Sequence, residues 1–202
     1  MTGLYFRLMV VAGCAFFAAG SSAPASPFMP TTGATSQPIG HYEFCRTHPA
    51  ECDVRSSSPA RVNLTAETWN ELVAINAEVN AGYIQATDAE IFGREEHWTY
   101  PGQAGDCEDL ALQKRRLLME RGWPVSSLLV TVVRQPTGEG HAVLTVVTDR
   151  GDLVLDNLEP RVLLWTDTQL SFVKRQSEFH AGRWTAIRDG RRAGGAVGSP
   201  SR

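Results

Sequence analysis

The 202-residue sequence predicts an α+β domain. Two stretches with helical spacing come first, and four segments rich in β-branched and apolar residues follow, two of them joined by a hairpin turn signal. Thr65 is a good N-cap for the first helix, where apolar Trp69, Leu72, Val73, Ile75, Ala77 and Val79 recur. Spacings of three and four place Trp69, Leu72, Val73 and Asn76 on one face, with Glu71 and Glu78 toward water. A second helix is expected from about Asp106, carried by Leu110, Ala111, Lys114, Leu117 and Leu118, and stopped by Gly122-Trp123-Pro124. Strands are expected over 127–133, 142–148, 152–156 and 183–188, with the turn at Asp149-Arg150-Gly151-Asp152.

Composition narrows the setting. A net charge of −3 gives neither a nucleic-acid footprint nor a polybasic membrane surface. Arg7 precedes an apolar run from Leu8 to Ala19, followed by Ala23-Pro24-Ala25, which is the pattern of a cleaved export signal over residues 1–25. The run is short for a membrane span. Val11-Ala12-Gly13-Cys14 has the look of a lipidation box, but Cys14 lies inside the apolar run rather than after it. Residues 26–38 are Ser/Thr/Pro-rich and read as a flexible mature N-terminus. The domain is then expected over 39–189, with a disordered tail over 190–202.

In an oxidising compartment, Cys45 and Cys52 bracket a short loop and read as a disulfide, with two buried thiols as the alternative. Cys107 is left unpaired, inside Gly105-Asp106-Cys107-Glu108-Asp109 at a predicted helix start. The helix N-terminus favours thiolate there, and the Cys107 N–H is placed to stabilise an oxyanion. Asp106, Glu108 and Asp109 oppose the thiolate unless neutralised. They are ordinary first-turn acids on one reading and ligands for a hard cation such as calcium on the other. Among the five histidines, His141 leads from Gly138-Glu139-Gly140 directly into a strand, which suits a base. Asp156, at the end of the next strand, is the candidate to orient it. A two-residue turn at Arg150-Gly151 would set Asp156 opposite Thr145 rather than His141, so the pairing asks for a bulge or a shifted register. Gln103 is a candidate second oxyanion donor, or simply a solvated loop residue.

These blocks resemble the bacterial transglutaminase-like cysteine proteinases, the family of LapG-type periplasmic peptidases. The resemblance runs through Phe44-Cys45 to Cys52, Asn76 to Asn80, Asp88 to Gly93 and Trp98-Thr99-Tyr100-Pro101. It continues through the Cys107 block with Leu110-Ala111 and Lys114, Gly140-His141-Ala142-Val143-Leu144, and Leu155-Asp156-Asn157. It implies a papain-like, transglutaminase-type core: an N-terminal helical part, and a nucleophile at a helix N-terminus packed on an antiparallel sheet. It further implies a Cys107-His141-Asp156 triad acting through a thioester and calcium held by Asp106, Glu108 and Asp109. A surface adhesin of biofilm cells as substrate and an inner-membrane cyclic di-GMP receptor as partner are implied in the same way. The alternatives are acyl transfer to an amine by the same triad, and a calcium-dependent binding module with a silent cysteine.

Overall fold

The computed structural model describes residues 25–190; the expected export signal (save Ala25), Cys14 and the tail beyond Gly190 lie outside the described residues. A seven-stranded antiparallel sheet forms the scaffold. Its strands are β1 (Thr31–Thr35), β4 (Leu128–Arg134), β5 (Gly140–Val147), β6 (Asp152–Leu155), β7 (Leu163–Leu164), β8 (Ser171–Ser177) and β9 (His180–Ile187), in the order β1-β9-β8-β4-β5-β6-β7. Strand alternation gives it two apolar faces. Leu128, Val130, Leu144, Val146, Leu153 and Leu155 pack with the helices in one core, while Val133, Val143 and Val154 join Trp165, Phe172 and Met29 in the other.

Two long helices cover the first face: α3 (Ala66–Gly82) and α5 (Cys107–Glu120). Thr65 caps α3 through a capping box with Thr68, which satisfies two orphan N–H groups. The buried face of α3 is Leu72, Ile75, Asn76 and Val79, while Trp69 and Val73 are more than a third exposed. The stripe thus runs i, i+3, i+4, i+7 from Leu72, rotated from the face expected through Trp69. Gly122, at φ 87°, ends the second helix as expected.

Several elements carry no clear signal in the sequence. Two short helices, α1 (Ile39–Thr47) and α2 (Pro49–Cys52), carry the disulfide between Cys45 and Cys52. The segment 26–38, expected to be flexible, is instead bound to the sheet. Met29 is buried and its N–H donates to Asp152 Oδ2, Trp165 Nε1 donates to Ser26 O, and β1 pairs with β9. Polar TTGAT carries no periodic signal; its order comes from a neighbouring edge that needs a partner. Strand β8 was missed because Lys174 and Arg175 interrupt its pattern, yet Arg175 is buried against Asp152 at 2.9 Å.

Register decides the site. The β5–β6 turn is centred on Asp149 and Arg150, one residue earlier than expected, with Thr148 N–H bonded to Gly151 O. Segment 62–64 recruits Asp149: its N–H donates to Val62 O and its carboxylate accepts from Leu64 N. Leu144 therefore faces Leu155, and the next step along sets Asp156 level with Val143 rather than Thr145. His141 then lies on the diagonal to Asp156, two residues along the same face, within reach of a side-chain bond and without a bulge.

Candidate active site

Cys107 occupies the first turn of α5, where the helix leaves its N–H groups unpaired. A short parallel ribbon of β2 (Ile84–Gln85) and β3 (Ala104–Gly105) leads into two helix starts at once. β2 feeds α4 (Asp88–Phe92) and β3 feeds α5, so Asp88 and Asp106 are brought together. Gly105 is required by packing: a Cβ would meet Pro101 Cβ at 2.9 Å and Asp109 Cβ at 3.0 Å.

The free thiol of Cys107 is half-buried and lines a cavity of about 850 Å³ with His141, Ala142, Trp98, Glu108 and Lys174. His141, 5% exposed, sits with Nε2 2.8 Å from Asp156 Oδ1. The same oxygen accepts from Leu158 N at 2.9 Å, and Asn80 Nδ2 holds the Asp156 carbonyl at 2.8 Å. An ionised Asp156 accepts the Nε2 proton, so the Nδ1 lone pair is the one available to a thiol.

The cysteine is not yet joined to that pair. Its sulfur donates to Glu108 Oε2 at 3.1 Å, and no hydrogen bond links it to His141 among the described residues. Burial, then the negative charge and bond of Glu108, then Asp106 push the thiol well above its usual range; the Ala142 N–H opposes them. The acids themselves are shifted upward by the same crowding. Burial and then Asp106 raise Glu108 to about 9, burial above all raises Asp109 to about 8, and burial raises Asp106. Three carboxylates this close cannot all ionise without a compensating cation.

Asp88, Asp106 and Glu108 are the three whose oxygens lie within 4.8 Å of one another. Asp88 Oδ1, Asp106 Oδ1 and Asp109 Oδ2 are buried with no hydrogen-bond partner among the described residues. Hard oxygen donors left unpaired suit calcium. Asp109 stands behind the trio, its Oδ1 accepting from Thr99 N at 2.8 Å. Asp88 is thus a member of the cluster that sequence spacing alone did not single out, because 18 positions separate it from Asp106 and only the β2–β3 ribbon joins them. Gln103 is exposed and does not line the cavity.

A free cysteine at a helix start, sharing a cavity with an imidazole oriented by a carboxylate, on a mixed helix and antiparallel-sheet scaffold, defines a cysteine peptidase of transglutaminase-like fold. The chain belongs to the bacterial transglutaminase-like cysteine proteinases (BTLCP), whose family model matches residues 31–192. Calcium-bound LapG of Legionella pneumophila is similar in structure, at 28% identity and a TM-score of 0.50, covering 58% of this chain and 67% of that one. EGTA-treated LapG from the same organism gives 29% identity and 0.49 over 62% of this chain and 73% of its own. No curated protein matches the sequence.

Proposed function

We propose that the chain is an exported, periplasmic cysteine endopeptidase in which Cys107, His141 and Asp156 act as a triad through a thioester. The observation that carries this is the His141–Asp156 pair, whose imidazole lines the cavity that holds the one unpaired thiol among the described residues. Nδ1 takes the Cys107 proton, and the sulfur lone pair attacks a peptide carbonyl. The Cys107 N–H faces the oxyanion as it forms. Nδ1–H then protonates the departing amine, and water, deprotonated by the same imidazole, hydrolyses the thioester.

Asp88, Asp106 and Glu108 would hold the ion, with Asp109 behind them, and the similar LapG in its calcium-bound form supports calcium as its identity. Bound there, such an ion would supply the positive charge that three neighbouring carboxylates need in order to ionise together. Glu108, as one of its holders, would then be drawn away from the Cys107 thiol. The disulfide and the export signal fit an oxidising compartment. Family membership makes a protein the substrate. A surface adhesin and an inner-membrane cyclic di-GMP receptor are the partners the resemblance suggests.

The test is cleavage of an adhesin fragment by the calcium-loaded protein beside Cys107→Ala. Cleavage lost in a folded Cys107→Ala variant supports the assignment; cleavage that survives removes Cys107 as nucleophile. A primary amine added to the reaction separates the two fates of one thioester: incorporation into the product marks acyl transfer, and none marks hydrolysis. A Cys107 that stays inert to alkylation in calcium would leave a binding module.

A further inference from the structure

No step of the reaction uses the two asparagines of the Asn76–Asn80 block. Both reach the loop that carries Asp156. Strand β6 ends at Leu155, so Asp156 is the first residue past the strand. The acid that orients His141 therefore sits on a loop, the kind of segment that moves most. That loop borders a cavity of about 250 Å³, with Leu158, Glu159 and Arg161 on its wall. Its fastening comes from α3 and β2.

Backbone carbonyls that leave a ladder need other donors. Here carboxamides supply them. Asn80 Nδ2 donates to the Asp156 carbonyl at 2.8 Å and Gln85 Nε2 to that of Asn157 at 3.4 Å. Asn76 Nδ2 donates to the carbonyls of Glu159 at 3.4 Å and Pro160 at 3.2 Å. Asn157 returns the bond, its Nδ2 donating to Gln85 Oε1 at 2.9 Å. Asn76 and Asn80 stand one helical turn apart on α3, so they share a face, and Gln85 comes from β2. Asparagine is an unfavourable residue there. It is a poor helix former, and Asn76 is fully buried in the stripe of Leu72, Ile75 and Val79. The Oδ1 atoms of both asparagines are buried without partners among the described residues, which costs stability. An apolar side chain would suit that face better, so the carbonyls they hold account for the asparagines.

Asp156 is thus held at both ends. Asn80 grips its carbonyl, while Oδ1 accepts from Leu158 N at 2.9 Å and from His141 Nε2 at 2.8 Å. Leu158 belongs to the same loop, so the carboxylate is only as steady as the loop is. The hydrogen bond on one ring nitrogen sets how the imidazole lies and which nitrogen is left for the thiol. We propose that Asn80 is a positioning residue for the reaction: with Gln85 and Asn76 holding the carbonyls beyond, it fixes the loop so that Asp156 Oδ1 stays on His141 Nε2. The inference rests on the triad reading above.

The experiment is the rate of Cys107 alkylation by iodoacetamide in calcium, on folded protein, for wild type, Asn80→Leu, Asp156→Ala, the double variant and His141→Ala. Asn80→Leu removes the donor and fills the space. It should slow alkylation about tenfold, less than the ~10²-fold that a misplacement of about 1 Å costs. The NMR signal of the His141 Nε2 proton, identified by its absence in His141→Ala, should broaden or move upfield in Asn80→Leu. An asparagine that served stability alone would lower the melting temperature and leave both readings unmoved in the folded fraction. Because Asn80 acts through Asp156, the double variant should react at the rate of Asp156→Ala. An unmoved rate or an unmoved proton signal in folded Asn80→Leu overturns the proposal, as does an Asn80 effect that persists in full on top of Asp156→Ala. A rate indifferent to His141→Ala sinks the triad reading instead, and the two failures are told apart. Should Asn80→Leu fail to fold, Gln85→Ala at an exposed position reads the same loop from β2. A loss of about threefold, in line with one exposed hydrogen bond, supports the proposal, and an unmoved rate overturns it.

Discussion

Two buried imidazoles, His41 and His141, show how neighbours divide one side chain between structure and chemistry. His41 is 1% exposed in a box of Phe44, Trp98 and Trp184, with Trp184 Nε1 at 3.1 Å and Gln176 Nε2 at 3.0 Å from its ring nitrogens. No carboxylate contacts it among the described residues. Burial, and secondarily the charge of Arg115, lowers its pKa to about 3, so the ring is a neutral structural hub. His141 is almost as buried but has an Asp on one nitrogen, a cavity before it and a thiol beside it. The difference lies in the partners. Both ring nitrogens of His41 have polar neighbours, whereas His141 is bonded through Nε2 alone among the described residues.

The largest break in that comparison comes from substitution to alanine at each position. His141→Ala should slow Cys107 alkylation in calcium by about 10²- to 10⁴-fold with little change in melting. His41→Ala should do the reverse, melting early while the folded fraction keeps its thiol reactivity. A His41 variant that folds well but loses reactivity would end the division drawn here.

Acid stability comes next. The unfolded His41 takes up a proton near 6.5 while the folded one resists to about 3. Its contribution is therefore whole above 6.5 and is lost as pH falls through that window. The loss should approach about 5 kcal/mol at the acid end of that window, read by urea unfolding at stepped pH. A flat profile there would show His41 to be solvated. Replacing both Cys45 and Cys52 with alanine should cost about 2 kcal/mol of stability. The disulfide flanks the His41 helix, so His141-dependent alkylation should persist in the folded fraction.

The smallest effect concerns the acid cluster. EGTA should slow alkylation by about tenfold, one pKa unit of thiol. Asp88→Asn should blunt the calcium response as strongly as Asp106→Asn, and Asp109→Asn less, since Asp109 is turned toward Thr99. Equal loss from Asp109→Asn and none from Asp88→Asn would return the ligand set to the three acids flanking Cys107.

Much of this was legible in the chain order of residues. Thr65 announced its helix, Gly122 ended another, and β-branched runs marked β4, β5 and β6, because caps, turns and strand faces are local chemistry. The odd cysteine beside three acids stood out by arithmetic, and His141 by its place at a strand start. What sequence withheld was each feature that depends on a distant partner. Polar β1 is ordered by β9, buried Arg175 is tolerated because of Asp152, and Asp88 joins the acid cluster through the β2–β3 ribbon. The His141–Asp156 bond turned on a one-residue shift of the turn, imposed by segment 62–64, because moving a turn by one residue displaces every cross-strand pair by two. The sequence by itself determined the residues that can do chemistry and the elements that carry them. Only the tertiary structure decided which of them meet, since register and burial are properties of pairs.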